Sequence, residues 1–567
     1  MKISSFFILF LYVLVGAPTH AHAIKQLRLS FPVAETGFDP AKVHDAYSGA
    51  VVEALFERLV SYDYRARPLK ISACTAQNFT RSADALTYTF VLKKGIYFSP
   101  DPAFKNRSRE LTAKDYVYSI QRLIDPATRS PWQFLIEGKI KGLDAKAKAV
   151  TPQHAFNYDA PVAGLRATDP YTLMITLTRP DPNFLSILAM PALSVVAREV
   201  IETYPDSNAH PIGTGAFALK KWQRSARIVL GKNPAYQSKE NANSTRPPIS
   251  IDEVDIQIIE ESQARWLAFK QGLLDMISLP SDLVPKALVG EKLAEDLMKE
   301  GITLQRSIDP EITYTYFNMR DPIVGGMSPE KIALRRALVM AHNTQIDIDV
   351  LQKGQAKEAT SIIPEGIPGF SASDMPTIRY NPDLANQLLD HYGYKRDNQG
   401  WRTLPDGSPL IIKLSSTPDS KSRIYDEFWT RTARQLSIRL SIVKAKFPDL
   451  LKAEKECKLQ MRGAAWIADY ADGDNFMMLL YSKNIHQSNN ACFKDSLYDQ
   501  WYEESQQMSD SPQRTMLYKR MNARMEYLAP WKLGVSRYRN SLIHRRVKGF
   551  QQHSLIRADW MYLDLEN

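Results

Sequence analysis

The sequence predicts a mixed α/β fold built from several structural units. Three observations carry this expectation. Segments that alternate apolar and polar residues are interleaved with segments of helical spacing along the whole chain. The 567 residues exceed one ordinary domain of about 100–200 residues. Hydrophobic residues make up 44%, charged residues 24% and aromatics 10%, proportions that exclude a disordered, collagen-like or disulfide-dense chain.

Taken in order, residues 27–33 alternate as a first strand, and Gly37-Phe38-Asp39-Pro40 reads as a turn. Residues 46–60 show helical spacing through Val51, Val52, Leu55, Phe56 and Leu59. Residues 86–92 alternate again and end at Lys93-Lys94-Gly95. Thr112 caps a helix with Asp115 at the capping-box position, and Tyr116, Ile120, Leu123 and Ile124 form its apolar face. Strands are expected at 171–177, 226–230 and 254–259, followed by a helix around 262–277. A strand at 314–319 and helices at 329–341 and 382–392 come next, the second helix stopped by Gly393. Strands at 410–414 and 440–443 flank a helix near 421–437. No fixed-period repeat or low-complexity linker appears. The Pro-rich patches near 205–211, 245–250 and 362–382 read as loops.

Residues 1–23 read as a secretory signal. Lys2 supplies the positive start, residues 6–15 an apolar run too short to span a bilayer, and Ala21-His22-Ala23 a small-x-small cleavage site. No cysteine stands near that point, so a lipoprotein is not expected, and the mature chain is expected to be exported. Lys plus Arg total 72 and Asp plus Glu 62, a net charge of +10 spread along the chain. That scatter argues for a solvated mixed surface and no nucleic-acid partner. Of the three cysteines, Cys457 and Cys492 share one region, and an oxidising compartment permits a disulfide between them. Cys74 would then be an unpaired, buried thiol.

Catalytic motifs are sparse. Pro211-Ile212-Gly213-Thr214-Gly215 lacks the Gly-Lys-Ser/Thr end of a phosphate loop and reads as a tight turn entering a strand at 216–220. Ser328-Pro329-Glu330-Lys331 fits Ser-x-x-Lys, but its partner motifs are missing, and it reads as a helix start. Histidines such as His342 and His391 are isolated, so no metal site and no cofactor are expected. One segment does suggest chemistry: Gly463-Ala464-Ala465-Trp466-Ile467-Ala468-Asp469-Tyr470-Ala471-Asp472-Gly473-Asp474-Asn475-Phe476. Small residues let another backbone approach, and the acid beside an aromatic could anchor a cation. A strand ending in an Asp-rich turn accounts for the same residues equally well.

Several motifs in register resemble the family-5 extracellular solute-binding proteins, the peptide-binding components of ABC importers. They are residues 55–63 (Leu-Phe-Glu-Arg-Leu-Val-Ser-Tyr-Asp), 88–98, 111–119, 122–126, 211–217, Tyr316-Phe317-Asn318 and Arg335-Arg336-Ala337-Leu338. The similarity covers nearly all of the chain after residue 23. The oligopeptide-binding branch is matched best at Trp466-Ile467-Ala468-Asp469-Tyr470.

The resemblance implies a two-lobed periplasmic-binding-protein fold (type II, Venus-flytrap) with an extra domain inserted in the first lobe. The implied division is lobe I at 24–66, 186–305 and 537–567, the extra domain at 67–185, and lobe II at 306–536. It implies a non-enzymatic, monomeric periplasmic protein that closes on a peptide and docks on a membrane permease served by an ATPase. By the same resemblance Asp469 binds the peptide ammonium, while Trp466, Ala468, Tyr470 and Trp132 line the cleft. The same scaffold could instead hold a metal complex, haem, a sugar or a peptide-like antibiotic, or serve an exported hydrolase. The chain departs from the branch at Gly463, where an arginine is expected. Arg462 is one step away, and one step in a strand reverses the face.

Overall fold

The computed structural model describes residues 24–67, 69–236, 249–371 and 378–566. The expected signal segment and its cleavage point lie outside the described residues.

Four sheets organise the chain. The first has the order Gln26–Phe31, Glu253–Ile258, Arg227–Lys232, Phe217–Gln223; its first pair is parallel and the rest are antiparallel. Alternation puts Leu27, Leu29, Ile228, Leu230, Val254 and Ile256 on one buried face, against Val51, Val52 and Leu55 of the helix Ala46–Leu55. The second sheet is antiparallel and comes from 76–176, ordered Ala76–Arg81, Thr87–Leu92, Thr172–Thr176, Leu165–Asp169. The third has five strands: Arg439–Lys444, Ile411–Ser416, Met461–Ile467, Glu311–Phe317, Trp531–Leu533. Helices Pro329–Ala341 and Ser420–Gln435 cover it, packing Leu334, Leu338 and Trp429 against Leu414 and Met461.

The fourth sheet joins the first body to the third. Its central strand Val535–Ile543 pairs with Met276–Ser278, Thr303–Ile308 and Ala356–Glu358. The chain enters the five-stranded sheet between Ile308 and Glu311 and leaves it between Leu533 and Val535. Both crossings are tied together. Gly534 N–H donates to Thr313 O at 2.7 Å, and Ser536 Oγ donates to Glu311 O at 2.6 Å. Arg537 holds Glu311 through Nε and Nη2, the latter at 2.7 Å. A Cβ at Gly534 would stand 2.3 Å from Thr313 Oγ1, so only glycine fits this approach.

Two expected elements end early. The helix expected to run to 277 stops at Lys270, because Gly272 turns the chain at φ +69°, and Met276–Ser278 becomes a strand. The helical pattern of 46–60 stops at Leu55, whose carbonyl accepts from Gly215 N–H at 2.9 Å; Val60–Tyr62 is extended. Gly213 and Gly215 press on that helix end: a Cβ on either would lie 2.1 or 2.5 Å from main-chain oxygens. The Pro211–Gly215 motif is thus a packing turn into Phe217–Gln223. Thr112 and Asp115 form the capping box, and Ser328 with Pro329 opens the helix Pro329–Ala341.

Candidate functional site

In the five-stranded sheet, Ile411–Ser416 and Met461–Ile467 run parallel and end at one edge, where Glu311 begins the antiparallel neighbour. Ligands of open α/β sheets gather at the carboxyl ends of such strands. The turn after Ile467 is built there residue by residue.

Ala468 N–H donates to Pro310 O at 2.8 Å, which fixes the turn to the lobe crossing. Asn475, fully buried, accepts on Oδ1 from Asp469 N–H at 2.9 Å and from Trp466 Nε1 at 3.2 Å. Its Nδ2 donates to Asp469 Oδ2 at 3.3 Å. One amide therefore sets the pose of both the tryptophan and the acid. Behind it, Asp472 accepts two bonds from Arg514, at 2.6 and 2.9 Å, and one from Tyr518 at 3.3 Å. Asp474 N–H donates to Asp472 Oδ1 at 2.8 Å. From other parts of the chain, Tyr62 Oη accepts from Ala471 N–H at 3.2 Å, and Arg557 Nη2 donates to Ala468 O at 3.0 Å.

Asp469 is half-buried, and among the described residues its carboxylate forms no ion pair. Burial raises it to about 6, against the pull of the Asn475 bond and of Arg557. A carboxylate so placed is stabilised by an incoming cation.

Trp466 is half-buried, and Ala468 is fully buried with its main chain engaged on both sides. Tyr470 turns into the core at 2% exposure, and its hydroxyl donates to Asp474 at 2.6 Å. In this structure its side chain supports the turn, because the next residues bend the chain into the Asp472–Arg514 pair. Trp132 precedes the short helix Gln133–Leu135. Its Nε1 donates to Val43 O at 2.7 Å, and its ring meets Phe134. Cys457 and Cys492 are joined as a disulfide with Cα atoms 6.1 Å apart, and Cys74 is a buried free thiol.

The departure at Gly463 has a structural cause. A Cβ there would stand 2.7 Å from Tyr425 Oη, so the tyrosine occupies the space of a side chain. Arg462 points to the other face and forms an ion pair with Glu454 at 2.6 Å, both buried. Neither position supplies a cleft cation. Lys421 stands one turn before Tyr425, at the start of Ser420–Gln435. The residue is exposed overall and forms no ion pair among the described residues. Surrounding protein and the Arg537 charge pull it down to about 8, while Glu311, Asp419 and Asp282 act the other way.

Lys421 and Arg557 carry no local sequence signal, because distant segments deliver them; Arg557 meets Ala468 across 89 residues. Asn475 lay within the Gly463–Phe476 segment, where an Asn after an Asp-rich turn is an ordinary helix start. Among the described residues no group of three His, Cys, Asp or Glu side chains could hold a metal, and no helix is long and apolar enough to cross a membrane.

The model of the bacterial extracellular solute-binding proteins, family 5 Middle, matches residues 70–488. Haem-binding protein A of Haemophilus influenzae is 25% identical over 92% of this chain and 88% of its own length. The periplasmic oligopeptide-binding protein OppA of Escherichia coli is 25% identical over 86% of this chain and 82% of its own. The Helicobacter pylori periplasmic binding protein DppA, solved with the peptide STSA, superposes with a TM-score of 0.77 at 23% identity, covering 96% of this chain and 98% of that one. The Escherichia coli murein tripeptide binding protein MppA superposes at 0.76 with 22% identity, covering 96% and 99%. These likenesses establish the two-lobed fold of mixed sheets.

Proposed function

This chain belongs to the family-5 bacterial extracellular solute-binding proteins, and we propose that it captures peptides between its lobes and delivers them to the permease of an ABC importer. The family binds solutes and is not catalytic. The carrying observation is Asp469: a half-buried acid at the carboxyl end of a strand, posed by Asn475 and forming no ion pair among the described residues. A peptide ammonium supplies the missing charge through a charge-assisted hydrogen bond.

Lying extended, the peptide pairs its main chain with strand edges at the cleft, which gives affinity independent of side chains. Lys421 takes a carboxylate further along the ligand, in the role that neither Gly463 nor Arg462 fills. Lobe I comprises 24–66, 186–305 and 537–567, lobe II 306–536, and the domain at 67–185 enlarges the first lobe. Residues 1–23 export the chain to the periplasm, where it works as a monomer. Trp466 and Trp132 bound the cleft.

Native mass spectrometry of protein exported to a bacterial periplasm, followed by denaturing release, tests this reading. A ladder of short peptides is expected. A single discrete non-peptide mass overturns it. The haem-binding relative gives that second outcome a specific form, a haem-sized mass.

A further inference from the structure

Asp469 is not the only unbalanced charge at the anchor. Arg557 comes from the C-terminal segment, which is pinned to the first body. Its N–H and that of Ala558 donate to Glu53 Oε2 at 2.7 and 2.9 Å. The side chain then reaches across, and Nη2 donates to the carbonyl of Ala468, the neighbour of Asp469, at 3.0 Å. Nearby acids are already taken: Arg58 binds Glu53 at 3.0 Å and Arg539 binds Asp309 at 3.2 Å.

Among the described residues no carboxylate comes within ion-pair distance of Arg557. A half-buried guanidinium with five N–H donors and one neutral acceptor is under-compensated. Its charge is held down by burial and by Arg539, and Asp469 is the first of the acids that favour it. The anchor therefore presents a carboxylate and a guanidinium side by side. A ligand end bearing only an ammonium suits Asp469 and is repelled by Arg557. A ligand end bearing both charges suits both.

We propose that the ligand's ammonium-bearing residue also carries a carboxylate, received by Arg557 while Asp469 holds the ammonium. This rests on the peptide reading above and names the peptide class. Two sources share the chemistry: an acidic first side chain, or the free α-carboxylate of a first residue linked through its side chain. Arginine suits either, since its planar fork matches a carboxylate with two parallel bonds.

Calorimetry with Glu-Ala-Ala, Gln-Ala-Ala and γ-linked Glu-Ala-Ala separates them, on the wild-type chain and on Arg557→Gln, which retains a donor for Ala468 O. At least one of the two acidic peptides is expected to bind tenfold or more tightly than Gln-Ala-Ala, and the tighter one identifies the source. The gap is expected to close in Arg557→Gln. Equal affinities in the wild type, or a gap that survives the substitution, overturn the proposal and leave the peptide reading standing. Failure of all three to bind overturns both.

Discussion

Arg514 grips Asp472 through two hydrogen bonds, 2.6 and 2.9 Å long, three residues past the acid that we assign to the ligand. The pair is buried, with Arg514 2% and Asp472 6% exposed. Burial pushes the Asp472 carboxyl up while Arg514 pulls it down. Asp472→Ala leaves the guanidinium buried and uncompensated, a loss of about 3–5 kcal/mol. Chemical denaturation should show that loss, and peptide affinity should fall with it because the turn carrying Asp469 loses its support.

Ligand affinity should depend on pH through Asp469. Its carboxyl is raised to about 6 in the unliganded protein, so at pH 5 most molecules hold a proton there. An ammonium ligand favours the ionised form. Affinity should therefore rise as pH climbs through about 6, and binding at pH 5 should release protons. Titration calorimetry at pH 5 and 7.5, in buffers of different ionisation enthalpy, measures both effects. Asp559 is also raised to about 6, so Asp469→Asn is the control that should flatten the profile.

The disulfide Cys457–Cys492 closes a loop of sequence separation 35 and links the end of the helix Phe447–Lys455 to the segment before Ser496–Ser505. Loop-closure entropy for that length is worth about 4 kcal/mol. The double substitution to serine should lower the melting temperature while peptide affinity changes little, since neither cysteine meets the anchor. Unchanged melting would show that the loop is held by its packing alone.

Gly534 governs one lobe crossing. An added methyl would meet Thr313 Oγ1 at 2.3 Å and Thr313 O at 2.8 Å. Gly534→Ala should force the two crossing strands apart, destabilise the protein by about 1–3 kcal/mol and weaken ligand-driven closure. Small-angle scattering with and without peptide reads the closure directly, and a change in radius equal to that of the wild type would contradict a part for Gly534 in closure.

Much of the fold was legible because its signals are local. Ser328-Pro329 opens a helix and the apolar spacing carries it to Ala341; Thr112 and Asp115 form their box whatever packs around them. The helix expected to reach 277 went astray because Leu273, Leu274 and Met276 continue an apolar run that Gly272 interrupts. The candidate site was legible only in part. Trp466 and Asp469 stand in a recognisable segment, yet the side to which Tyr470 and Arg462 point depends on Asp474 and Glu454, known only once the chain is folded. Lys421 and Arg557 become visible only when helix and C-terminal segment meet the sheet edge.

Calorimetric comparison of one tripeptide with its N-acetylated form is the most direct test of the ammonium anchor at Asp469. Acetylation removes the charge and leaves the rest of the peptide intact. The account predicts a loss of about a hundredfold or more for the wild-type chain, from the about 3–5 kcal/mol expected of a broken buried pair. Equal affinity for the two peptides would contradict it.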